Sequence, residues 1–114
     1  MADARGALIL NEVLPDEVRM KLDQDAAVQN VHLNDVAGAI LAKHFELEWE
    51  PSGRPYRAMA DQFKLRVPEQ LHWKIRMSAA LAGHTVRGTV LATIASYYKL
   101  PAITPTRRPR RQTA

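Results

Sequence analysis

Gln62-Phe63-Lys64-Leu65-Arg66-Val67-Pro68 alternates polar and apolar side chains and then stops at a proline. A period of two is that of a strand with one buried face. Proline cannot donate to a strand ladder and suits the first turn of a helix, so Pro68 ends the strand. From Glu69 the period changes. Leu71, Ile75, Ala79 and Ala82 recur at helical spacing up to Gly83, which sits where a helix-terminating glycine belongs. Thr85 suits the N-cap of a second helix whose buried face carries Val86, Val90, Ile94 and Tyr97 or Tyr98. Pro101 stops that helix at about Leu100. The predicted order is strand, helix, short turn, helix.

The same plan occurs once more upstream. Sliding the chain against itself by 53 residues lays Pro15 on Pro68, Val18 on Leu71, Leu22 on Ile75, and Ala26 and Ala27 on Ala79 and Ala80. Leu33 then falls on Val86, Leu41 on Ile94, Phe45 on Tyr98 and Leu47 on Leu100. This predicts two units, 7–47 and 62–100, after an N-terminal arm at 1–6. Glu48-Trp49-Glu50-Pro51-Ser52-Gly53-Arg54-Pro55 reads as a loop, within a linker spanning 48–61. About 15 steps from Leu47 to Gln62 reach at most roughly 50 Å, against about 22 Å for a 15-residue helix. The linker can therefore carry the chain back and lay the second strand against the first. Residues 101–114, rich in Pro, Thr and Arg, are expected to be a disordered basic tail.

Composition narrows the function classes. The 114 residues are one small domain's worth of chain, or two very small units that must interlock to bury enough surface. There is no cysteine, which removes disulfides, thiolate metal sites and cysteine nucleophiles. No apolar run approaches a membrane span, and the start MADARGALIL lacks the features of a secretory signal, so a cytoplasmic location is expected. No Gly-rich phosphate loop, paired carboxylates or nucleophile–base set suggests an enzyme, and no cofactor is expected. His32, His44, His72 and His84 lack the spacing of a metal site and read as surface or cap residues. Charge is uneven. Residues 1–47 hold four basic and eight acidic side chains, whereas residues 61–114 hold ten basic and two acidic. Arg107, Arg108, Arg110 and Arg111 are part of that excess. One half is suited to a polyanion and the other is not.

The strand ending in proline, the two helices after it and the Ala82-Gly83-His84-Thr85-Val86-Arg87 turn resemble the Arc/MetJ ribbon-helix-helix family. The resemblance is strongest over residues 62–100. It implies a mainly α fold with a short two-stranded antiparallel β-ribbon, here as a tandem, single-chain pseudo-dimer. It also implies double-stranded DNA as partner, with the ribbon in the major groove. Gln62, Lys64 and Arg66 would then meet base edges, because Arg and Lys match guanine and Gln matches adenine. The family clamps a phosphate with backbone N–H groups at the start of the second helix, which here are Thr85 and Val86, and Arg87 adds a charge. The tail arginines would contact phosphates without regard to sequence. The Arc core has a triad of two arginines and a glutamate. His84, Thr89 and Thr93 occupy the matching positions, so that network is missing.

The first strand fits less well. At the matching offset Ile9, Asn11 and Val13 face DNA and Glu12 faces the core, where an unpaired carboxylate is costly. Either the register slips locally or this strand is mainly structural, and asymmetric readout with the second copy dominant is expected. Asn11 is its one natural base reader. Trp73 is expected to pack under the linker, and Tyr97 and Tyr98 to end the core. The leading expectation is a repressor of phage or plasmid type. The alternatives are a partition or copy-control protein coating repeated sites, and an antitoxin or adaptor engaging a protein through the acidic first unit.

Overall fold

Pro15 and Pro68 each open a helix at its N-cap, and the helices they open correspond throughout. A computed structural model of the chain describes residues 6–58 and 61–100. Its element order is β1 (Ala7–Glu12), α1 (Asp16–Gln29), α2 (Leu33–His44), β2 (Phe63–Val67), α3 (Glu69–Ala82) and α4 (Val86–Tyr97). From Asp16 to Glu69 and from Leu33 to Val86 is 53 residues, and the paired helices have equal lengths. Asn30 and Gly83 end the first helix of each half in the left-handed conformation, at φ 54° and 72°. Asparagine and glycine are the residues that reach it at least cost. The offset seen in the sequence is therefore present in the backbone. The arm at 1–5, residues 59–60 and the tail at 101–114 lie outside the described residues.

β1 and β2 form a two-stranded antiparallel sheet. Phe63, Leu65 and Val67 are buried and Lys64 is exposed, as the alternation requires. Gln62 is exposed but lies just before the strand. The inward face of the ribbon closes over one core that draws on both halves: Leu10, Leu14, Val18, Leu22, Leu33 and Leu41 with Leu65, Leu71, Ile75, Val90 and Ile94. β1 packs on α3 and α4, β2 packs on α2, and α2 packs on α4. Each strand thus rests on helices of the opposite half. Two 40-residue units lacking enough core singly share one.

The linker packs on the first half. Trp49 lies over Gly38, where an added Cβ would stand 2.1 Å from the indole ring. The position matching Gly38 in the second half is Leu91, which is buried. The linker indole occupies space beside α2 that a leucine side chain occupies on α4. Asp35 is buried and accepts from the backbone N–H and hydroxyl of Ser52, at 3.0 and 2.7 Å. The Tyr56 hydroxyl donates to Asp23 at 2.8 Å. Trp73, expected under the linker, is instead exposed on α3, and Trp49 and Tyr56 pack against the core. Helical periodicity places Trp73 two residues past Leu71, away from the buried stripe of Leu71, Ile75 and Ala79. Tyr98 does end the core, with its hydroxyl donating to Asp25 of α1 at 2.8 Å, whereas Tyr97 is exposed.

Candidate nucleic-acid interface

The ribbon turns one face to the core and one to solvent. Asn11 pairs with Lys64 and Leu8 with Arg66 across the strands. Residues opposite one another on paired strands share a face. Leu8, Asn11 and Lys64 are exposed and Arg66 is half-buried. These four side chains make up the outward face. With Gln62 exposed beside it, the three sequence-predicted readers of the second copy and Asn11 of the first lie along one ribbon.

The first strand reaches this arrangement through a bulge. Leu8 pairs with Arg66 and Leu10 with Leu65, which leaves Ile9 as the extra residue. A one-residue shift sends every side chain beyond it to the opposite face. Leu8 therefore faces outward where Ile9 was expected, and Ile9 is half-buried and packed against the core. Leu10 reaches the interior beside Leu65. Val13 is exposed as expected but lies beyond the end of the strand. The local slip posed as one alternative for this strand is what the structure contains.

Glu12 pairs with Phe63 and is half-buried, on the core side of the ribbon's end. Its carboxylate takes the Nε–H of Arg87, with Nε–O distances of 2.7 and 2.5 Å. This contact removes the cost foreseen for a buried Glu12. The same contact holds Arg87, the cation expected to add charge at the start of α4, through its Nε, and leaves its side chain about half exposed.

A second polar contact fixes the other end of the ribbon. Asn34 accepts from the Arg66 N–H at 2.7 Å and donates to the Arg66 carbonyl at 3.0 Å. Its amide acts as a one-residue extension of the ladder on the open edge of β2 and holds the backbone from which Arg66 projects. Asn34 was not singled out from the sequence. The signal was available, because it stands 53 residues before Arg87. Both positions tie the first turn of a second helix to the strand of the other half.

These ties bring the N-termini of α2 and α4 beside the ribbon. At α4 the Thr85 hydroxyl accepts from Gly88 N–H at 2.9 Å, so Thr85 is the N-cap. The N–H groups of Val86 and Arg87, in the first turn, have no partner within the helix. At α2 the cap is His32, whose Nδ1 lies 3.2 Å from the Asn34 N–H while Nε2 lies 2.9 Å from an Arg54 guanidinium nitrogen. Burial first, and then the Arg54 charge, hold the His32 imidazole below its usual pKa, with Asp35 opposing. Arg107, Arg108, Arg110 and Arg111 lie outside the described residues.

Among the described residues no group of three or more His, Asp or Glu side chains could hold a metal ion. No described helix is long and apolar enough to cross a membrane. The Arc-type triad positions hold a half-buried His84, a Thr89 whose hydroxyl is buried without a partner, and a Thr93 that bonds back to the Thr89 carbonyl at 2.8 Å. Comparison with protein-family models, with curated proteins and with solved structures finds no match to this chain.

Proposed function

We propose that this protein is a sequence-specific DNA-binding regulator of ribbon-helix-helix type, built as a single-chain pseudo-dimer that lays the outward face of its ribbon in the major groove. One observation carries the reading: Lys64 and Arg66 project from a two-stranded ribbon whose other face is sealed by the core, with a helix N-terminus tied to each end. A two-stranded ribbon fits the width of the major groove. Lys and Arg match guanine O6 and N7, Asn11 matches adenine, and Leu8 offers an apolar contact to a thymine methyl. Because of the bulge, Leu8 stands on the outward face where Ile9 was expected. The N–H groups of Thr85 and Val86 supply the phosphate contact at α4, where the helix dipole favours an anion. Arg87 serves to hold Glu12. The basic tail adds phosphate contacts that carry no sequence information.

The two halves read DNA unequally. Two cations project from β2, whereas Asn11 and Leu8 project from β1. Selection from random duplex DNA with the wild type and with Lys64→Ala/Arg66→Ala tests this. The expected outcome is an enriched motif that vanishes in the variant, because each base contact is worth about 1–3 kcal/mol. Asn11→Ala should narrow or shift part of the motif and leave the rest. Binding without a motif, equal in both proteins, would overturn the proposal.

A further inference from the structure

The outer faces of α1 and α3 carry apolar side chains that no other described residue covers. Trp73, Met77 and Leu81 stand one turn apart along α3 and are 57%, 43% and 84% exposed. Met20 and Val28, at the positions matching Trp73 and Leu81, are 60% and 85% exposed on α1. Scattered exposed apolar residues are ordinary, but a continuous row on α3, repeated on α1 at two of its three positions with Gln24 at the third, marks a surface that meets a partner.

Charge identifies the partner. α1 carries four acidic and two basic side chains, whereas α3 carries one acidic and two basic. Two α3 faces brought together would oppose Lys74 and Arg76 to their copies, and two α1 faces would oppose Asp16 and Glu17. An α3 face on an α1 face joins opposite signs. α1 rests on α2, α3 rests on α4, and α2 packs on α4, so α1 and α3 flank the central pair. We infer that a second copy of this chain docks its α3 stripe, centred on Trp73, Met77 and Leu81, on the α1 stripe of Met20 and Val28. Such a contact joins two different surfaces, so it need not close on itself and can extend into an open row. This contact does not depend on the DNA-binding reading.

Leu81→Asp and Val28→Asp each block one stripe at a side chain that is almost fully solvated, so each variant should keep the far-UV circular dichroism spectrum of the wild type. Sedimentation velocity without DNA, from about 1 µM to about 1 mM, covers the range of weak interfaces. The wild type should grow with concentration past twice its 12.8 kDa mass, and each variant alone should stay at 12.8 kDa. An equimolar mixture of the two variants should form a dimer and nothing larger, because one free α3 meets one free α1. A dimer of Val28→Asp alone would show α3 pairing with α3 and overturn the head-to-tail contact. A wild type that is monomeric throughout would leave the stripes to another protein, and would also overturn it.

Discussion

Thr89 shows how much a single side chain can carry. Its hydroxyl is buried without a hydrogen-bond partner, and Val36 occupies the matching position on α2. A buried unsatisfied hydroxyl costs about 1–3 kcal/mol, while valine has nearly the same shape. Thr89→Val should therefore stabilise the protein by about 1 kcal/mol, read as a higher urea midpoint with an unchanged slope. At the ribbon, Glu12 and Asn11 are chain neighbours with different surroundings. Asn11 stands opposite Lys64 in solvent, and Glu12 is spent on Arg87. Residue type alone would have given the acidic side chain to the surface and the arginine to a phosphate.

Among the elements, α2 has a start that responds to pH. A neutral imidazole can accept on one ring nitrogen, and the imidazolium can accept on neither. The lowered pKa of His32 means that the unfolded chain binds its proton more readily than the folded one. Its contribution to stability is thus present above about pH 6.5, the unfolded value, and is lost as pH falls through the lower folded value. Urea unfolding at pH 7.5 and at pH 5.5 should show the loss. His32→Asn, which keeps an N-capping side chain, should remove most of that difference, and an unchanged difference would assign it to the carboxylates. β1 is the other element set by its surroundings. Its bulge at Ile9 lets Leu10 reach the core beside Leu65 while Asn11 stays outside.

As a whole the molecule should unfold as one cooperative unit. β1 rests on α3 and α4, β2 rests on α2, and the Asn34, Arg87 and Tyr98 side chains each bond across the halves. The buried side chains of the two halves form one cluster. In a Trp73→Phe background, Trp49 fluorescence reports the linker against α2, and far-UV circular dichroism reports all four helices. The two should trace a single coincident urea transition. Separate midpoints would mean that the halves unfold independently.

Much of this was legible in the residues themselves. The prolines, the change of period after Val67 and the offset of 53 residues located the helices and β2, because local periodicity and backbone restriction act within a few residues. The outward placement of Lys64 and Arg66 followed from the same alternation. Other features depended on contacts between segments far apart in sequence. The bulge at Ile9 arises because β1 must match both its own turn into α1 and the register of β2, which arrives more than 50 residues later. The pairing of Glu12 with Arg87, the hold of Asn34 on Arg66, and the packing of Trp49 rather than Trp73 against the core likewise join distant positions. The sequence by itself determined the elements and their repetition, since those are written in spacing. Only the tertiary structure decided the register of β1 and the partner that Glu12 finds, since both depend on which distant segments the fold brings within reach.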